Sequence, residues 1–135
     1  MQPELGINVL FINDDADEGK MMQIFLREKR QDRVIICHPT DQRLSDIIEQ
    51  EDPELILISF IDGLDAVQIY QELRANPKLQ ETPIMFWRVT KNPVEFYPIA
   101  CQLGLAGWID FICRLDEFLE ARDVVLAGGT YYPSY

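Results

Sequence analysis

The amino-acid sequence predicts a three-layer α/β sandwich built on a parallel sheet. Five short apolar runs alternate with five segments of helical periodicity, and the third run, Leu55–Ile58, is continuously apolar. Parallel strands need crossover connections that are usually helices, and continuous apolar runs are typical of strands buried on both faces. At 135 residues and 47% hydrophobic composition, the chain is long and apolar enough for one such domain.

Each predicted strand–helix unit consists of an apolar run and a helix with apolar residues at three- and four-residue spacings. The predicted strands are Ile7–Ile12, Val34–Cys37, Leu55–Ile58 with Phe60 and Ile61, Ile84–Val89, and Trp108–Ile112. The apolar helix faces comprise Met21, Met22, Phe25 and Leu26; Leu44, Ile47 and Ile48; Ala66, Ile69, Tyr70 and Leu73; Phe96, Ile99, Ala100 and Leu103; and Leu115, Phe118, Leu119, Val125 and Leu126. We therefore expect one domain over residues 1–129, with residues 130–135 as a tail or the start of a linker.

The composition excludes several classes of function for this domain. Lys and Arg total 12 against 23 Asp and Glu, a formal net charge of −11, which argues against direct binding of nucleic acid or anionic membrane. No apolar run reaches the length of a membrane span, and the first residues lack the pattern of a signal peptide. The three cysteines show no zinc spacing, so the sequence predicts reduced thiols and a cytoplasmic location.

In open parallel sheets, functional sites form beyond the carboxyl ends of the strands. The residues at these positions are Asn13, Asp14 and Asp15 after the first strand, Ser59 after the third, Arg88 in the fourth and Phe111 in the fifth. The acidic group permits two interpretations, which are metal binding and capping of the first helix.

Five segments, in the same order along nearly the whole chain, resemble the receiver domain of two-component response regulators. They are VLFINDD, PELILIS, TPIMFWRV, ACQLGLAGWID and FLEARDVVLAGGTYYPS. The last segment resembles receivers attached to helix-turn-helix (LuxR/NarL-type) transcription regulators. The resemblance implies a flavodoxin-like fold with strand order 2-1-3-4-5 and a role in phosphorelay signalling.

The positions that carry phosphoryl transfer in receivers hold other residues here. By position, the metal-binding acidic pair is Asn13 and Asp14, the phosphoacceptor aspartate is Ser59, the hydroxyl residue is Arg88 and the lysine is Phe111. A serine is a poor nucleophile without a base, and Mg²⁺ prefers charged oxygen ligands. The sequence therefore predicts a degenerate pseudo-receiver that is not an enzyme and has no cofactor, with at most weak Mg²⁺ binding through Asp14 or Asp15.

By position, Trp108 matches the switch aromatic of receivers. The resemblance also implies a contact surface on helix 4, strand 5 and helix 5. Aromatic residues are enriched at interfaces, so Trp108, Trp87 and Tyr97 predict a homodimer or a protein partner on this face, formed without phosphorylation. The alternative is that both tryptophans belong to the core. A DNA-binding output domain beyond residue 135 is a further expected partner, and Arg88 is expected to pair with Asp14 or Asp15.

Two other functions stay open at this point. One is a flavodoxin-like cofactor-binding protein or small enzyme, although the NDDADEG segment lacks a glycine-rich phosphate loop. The other is a receiver that is phosphorylated at a non-standard residue, Ser59 or Asp62.

Overall fold

The computed structural model describes residues 6–59, 63–90, 92–110 and 114–133, with the backbone alone for residues 63–65. The described residues form a five-stranded sheet in the order β2-β1-β3-β4-β5, which confirms the predicted order. The strands are β1 Asn8–Ile12, β2 Arg33–Cys37, β3 Leu55–Ser59, β4 Ile84–Val89 and β5 Gly107–Asp110. The helices are α1 Ala16–Arg30, α2 Leu44–Glu51, α3 Gly63–Arg74, α4 Pro93–Leu103 and α5 Leu115–Leu126, with a 3-10 turn at Pro77–Leu79.

The chain divides into two compact units, Met1–Leu57 and Ile58–Tyr135. In the first unit, β1 and β2 pair in parallel, with Asn8 opposite Arg33 and Ile12 opposite Cys37. Helix α1 approaches β2 closely at Gly19, where an added Cβ would lie 2.9 Å from Cδ1 of Ile36. A side chain at this position would therefore push the helix away from the strand.

The second unit has an aromatic core. Four rings follow one another at centroid distances of 6.0, 5.9 and 4.9 Å, and their members are Tyr70, Phe86, Phe96 and Trp108. The ring of Trp87 meets that of Phe118 edge to face at 5.0 Å. Tilted and edge-to-face contacts at these distances are the arrangements that aromatic pairs prefer.

The burial of the two tryptophans corrects their predicted interface role. Trp108 is fully buried and Trp87 is 3% exposed, so neither side chain offers contact area to a partner. Phe96 of α4 packs against Trp108, and Phe118 of α5 packs against Trp87. The core interpretation of both residues is therefore confirmed, and Tyr97 alone of the three predicted interface aromatics is exposed, at 47%.

The chain after α5 contacts the sheet at Tyr131, within residues 130–135, for which a tail or the start of a linker stays the prediction. Tyr131 forms a parallel β-bridge with Gly107: its N–H donates to the Ala106 carbonyl at 3.0 Å, and its carbonyl accepts from the N–H of Trp108 at 3.1 Å. An added Cβ at Gly107 would lie 3.0 Å from the Tyr131 carbonyl oxygen, so glycine permits this approach. We call Thr130–Pro133 the C-terminal segment.

Within the described ranges, none of the helices is both long and apolar enough to cross a bilayer.

Candidate functional site

The first group of candidate residues lies at the carboxyl end of β1, within the first unit. Asn13 is 3% exposed, and its backbone N–H donates to the Cys37 carbonyl at 3.0 Å. Its side-chain Nδ2 donates to the Asp15 carbonyl at 3.1 Å and lies 3.5 Å from Oε1 of Glu18. Asn13 therefore holds the turn between β1 and α1, and its Oδ1 has no hydrogen-bond donor among the described residues.

Asp15 is the N-cap of α1. Its Oδ1 accepts from the backbone N–H of Asp17 at 3.0 Å and of Glu18 at 3.2 Å. A carboxylate at a helix N-terminus satisfies free N–H groups and complements the helix dipole. The capping interpretation of this acidic group is thus confirmed for Asp15, whereas Asp14 is exposed.

The donor set at the end of β1 does not fit a tight Mg²⁺ site, which is the metal that the receiver resemblance implies. Asn13 offers one uncharged oxygen, Oδ1 of Asp15 accepts both capping hydrogen bonds, and the carboxylate of Asp14 is exposed. Mg²⁺ requires near-octahedral oxygen ligands with charge behind them. In the part of the chain that the structure describes, no three His, Cys, Asp or Glu side chains come together as metal ligands.

The second group of candidate residues lies in the second unit. Ser59 is the last residue of β3 and is half-buried, which leaves a neutral hydroxyl where the resemblance assigns a carboxylate. Phe111 and Asp62 lie outside the described residues. The pairing of Arg88 with Asp14 or Asp15 stays a prediction.

Arg88 has a backbone conformation that the sequence did not predict. Its φ of 57° lies in the left-handed region, and the pairing of β4 with β5 shifts register between Phe86 and Val89. A bulge with one residue in the left-handed region is a recognised irregularity of sheets, and glycine is the residue that adopts it without strain. Arg88 therefore holds a strained position at the carboxyl end of β4.

We expect Arg88→Gly to be more stable than Arg88→Ala by about 1 kcal/mol, because both variants lose the guanidinium and only glycine removes the left-handed strain. Chemical denaturation measures the difference. The matched control is Gln71, an exposed residue inside α3, where Gln71→Ala should instead be more stable than Gln71→Gly by about 1 kcal/mol. If the alanine variant were the more stable one at both positions, the strain at Arg88 would be contradicted.

Among the described residues of the second unit, the large apolar side chains that are exposed lie on α4. Val94 is 74% exposed and Tyr97 is 47% exposed. Asn92 caps the helix through a bond from the Val94 N–H to its Oδ1 at 2.9 Å. Pro98 lies inside the helix and removes the helical hydrogen bond to the Val94 carbonyl.

The C-terminal segment contacts α4 through Tyr132 and α5 through Tyr131. The Tyr132 hydroxyl lies 3.0 Å from the Ala100 carbonyl and 2.8 Å from the Leu105 carbonyl, so its single hydrogen is shared between them. The Tyr132 ring meets Tyr97 edge to face at 5.4 Å. The Tyr131 hydroxyl donates to Oε2 of Glu117 at 3.2 Å.

The protonated phenol of Tyr132 is the form that this environment favours. Burial, followed by the neighbouring Cys101, raises the pKa of Tyr132 to about 12. Because the pKa is raised on folding, the contribution of this phenol to stability is complete below the ordinary tyrosine pKa of about 10. It is lost as the pH rises through about 12.

Comparison with known proteins supports the fold that these elements form. No family model matches the chain. A curated Pseudomonas aeruginosa (strain PAO1) protein, provisionally described as a transcriptional regulator, is 27% identical over 92 residues, which are 65% of this chain and 42% of that protein. The chain therefore spans less than half the length of this relative.

Solved structures of response regulators superpose on nearly the whole chain. RcsB, in a structure of two dimers bound to two parallel DNAs, has a TM-score of 0.79 and 12% identity over 96% of this chain and 64% of that one. A LuxR-family two-component response regulator from Aurantimonas sp. SI85-9A1 has a TM-score of 0.77 and 12% identity over 93% of this chain and 89% of that one. The chain has the receiver fold.

Proposed function

We propose that this chain is a receiver-like signalling domain of a two-component-type response regulator and that it acts through protein contacts, without an aspartyl phosphate. The observation that carries the proposal is the receiver fold with uncharged Asn13 and Ser59 at positions where the resemblance assigns carboxylates.

The chemistry of phosphoryl transfer supports the absence of an aspartyl phosphate. A receiver needs a carboxylate nucleophile, a divalent cation that neutralises the transferred group, and a cationic side chain that stabilises its oxygens. Ser59 supplies a hydroxyl without a dedicated base, Asn13 supplies an uncharged oxygen, and Phe111 supplies no charge. All three requirements are weakened in the same chain.

The relatives support a place for this domain at the front of a longer regulator. The chain spans 42% of the Pseudomonas relative and 64% of the RcsB chain that is described with DNA. With a net charge of −11, the domain repels nucleic acid, so DNA contact would come from a separate output domain. This assignment makes the domain a regulator of its neighbour or of a second copy.

We propose that the contact surface is the exposed side of α4 around Val94 and Tyr97, and that the simplest partner is a second copy of the chain. These two apolar side chains are well exposed, whereas Trp87 and Trp108 are buried. Because the net charge opposes unspecific self-association, an apolar patch is the feature that can favour a specific contact.

The test is the mass of the protein by light scattering over a range of concentrations. We expect a dimer whose dissociation constant rises at least about tenfold in Val94→Asp, because a charge would be desolvated in the contact. The matched control is Ile24→Asp on α1, which is 48% exposed and should leave the dimer unchanged. Acetyl phosphate should have no effect on any of the three proteins. A wild-type monomer at all concentrations, or equal effects of both variants, would contradict this surface.

A further inference from the structure

We propose that α4 and the C-terminal segment form one coupled unit, so that displacement of α4 loosens the segment from β5. The inference rests on the proposed function. It explains how binding of a partner at α4 could change the chain that follows residue 133 without a phosphoryl group. Four contacts within the second unit carry the argument, and each joins the segment to a different element or position.

The first contact closes the end of α4. The last carbonyls of a helix lack partners within the helix, and Ala100 is among those residues. Its carbonyl accepts from the N–H of Gly104 and, at 3.1 Å, from that of Leu105, and the Tyr132 hydroxyl lies 3.0 Å from the same oxygen. The Leu105 carbonyl, just beyond the helix, is 2.8 Å from that hydroxyl. Tyr132 therefore adds a side-chain contact to a C-terminal cap that the backbone of Gly104 and Leu105 already forms.

The second contact lies on the surface of α4. Tyr97 is 47% exposed, and its ring meets the Tyr132 ring at an interplanar angle of 89°. One side chain thus belongs both to the surface proposed for partner contact and to the attachment of the segment. A partner that moves the Tyr97 ring would change the support of Tyr132 directly.

The remaining contacts fix the other side of the segment. The backbone of Tyr131 exchanges two hydrogen bonds with Ala106 and Trp108 along β5, and its hydroxyl reaches Glu117 on α5. Because Tyr131 and Tyr132 are adjacent in the chain, movement of the Tyr132 ring acts on the bridge at Tyr131. Two backbone bonds form that bridge, and neither belongs to the pairing of β4 with β5.

Helix α4 also lacks one internal hydrogen bond. Pro98 removes one hydrogen bond from the middle of the helix, which separates the turn at Val94 from the turn that ends at Leu103. The C-terminal turn is the part that Tyr132 contacts, so we expect its position to respond to the segment.

The test is residue-resolved amide hydrogen exchange by NMR on the intact chain without phosphodonor, with every variant and its reference compared in a Val94→Asp background so that the proposed dimer does not contribute. In Tyr97→Ala, we expect the N–H groups of Trp108 and Tyr131 to exchange about threefold to tenfold faster, which corresponds to the loss of one aromatic pair. Tyr97→Phe keeps the ring and should exchange as the reference. Gln102→Ala, an exposed change on the same helix, is the matched control and should leave both amides unchanged.

Coupling is reciprocal, so the effect should also run from the segment to the helix. Tyr131→Pro removes the donor to the Ala106 carbonyl, and the N–H groups of Gly104 and Leu105 at the end of α4 should then exchange faster. Faster exchange in Tyr97→Ala that stays within α4, or equal effects of Tyr97→Ala and Gln102→Ala, would overturn the coupling. Neither result bears on phosphorylation, and phosphorylation of the protein would leave this coupling intact.

Discussion

Replacement of Trp108 by alanine is expected to lower the free energy of unfolding by about 3–5 kcal/mol. The indole is fully buried and packs against Phe96 at 4.9 Å, so alanine would leave a cavity beside α4 and lose an aromatic contact. Since a domain of this size has a total stability of about 5–15 kcal/mol, a large part of it would be lost. Denaturation by urea, followed by circular dichroism, measures the change.

Two variants separate packing from the other properties of Trp108. The indole N–H has no hydrogen-bond partner among the described residues, so Trp108→Phe loses no hydrogen bond and should cost less than half as much as Trp108→Ala. Tyr97→Ala, at a half-exposed position, should cost about 1 kcal/mol or less. A Trp108→Ala protein with a wild-type midpoint would show that the indole is not part of the core.

The second large effect concerns phosphoryl transfer, for which we expect no stable adduct. Removal of a single group that stabilises developing charge typically costs about 10²–10³ in rate, and the lysine position holds Phe111. Asn13 and Ser59 stand where the resemblance assigns carboxylates, so two negative charges are also missing from the ligands that would hold the cation. These losses act on the same transition state, so restoring one of them is not enough.

Ser59→Asp is the variant that tests this reasoning. It returns the nucleophile to the end of β3 but leaves Asn13 and Phe111 in place. We therefore expect Ser59→Asp to remain unmodified by acetyl phosphate under conditions that fully phosphorylate an active receiver. Efficient phosphorylation of this variant would show that the nucleophile alone was missing and that the cation and lysine positions are functional.

Most of the fold could be predicted because each element has a local cause. The apolar runs at β1, β3 and β4 are short, bounded and continuous, which distinguishes buried parallel strands from helices. The capping role of Asp15 follows from an acidic residue directly before a periodic segment. The strand order came from the resemblance, since periodicity alone does not determine which strands are neighbours.

The misjudged residues depend on tertiary contacts that have no local signal. The sequence places Trp87 and Trp108 on strands, but their depth depends on which helices cover them, and α4 and α5 bury both. The attachment of Tyr131 depends on the absence of a side chain at Gly107, 24 positions earlier in the chain. The left-handed φ of Arg88 is equally hidden, because arginine is not a residue that predicts it.

The same limitation applies to the C-terminal segment. Glycines followed by threonine, tyrosines and proline are typical of a linker, and the sequence contains no apolar run there. Its contacts include two hydroxyl groups, two backbone bonds and one ring pair, none of which leaves a periodic pattern in the sequence. Tyrosine side chains in an apparent linker are the one signal that could have indicated docking, since each has a large apolar ring and a polar end.

Incubation of the unmodified protein with acetyl phosphate and Mg²⁺, followed by intact-mass analysis, tests the central claim most directly. A receiver with an intact acceptor, analysed in parallel, provides the positive control. We predict that the mass of this protein stays that of the unmodified chain of 135 residues while the control gains a phosphoryl group. A stoichiometric phosphoryl adduct, on Ser59, Asp14, Asp15 or Asp62, would contradict the account and would identify the acceptor.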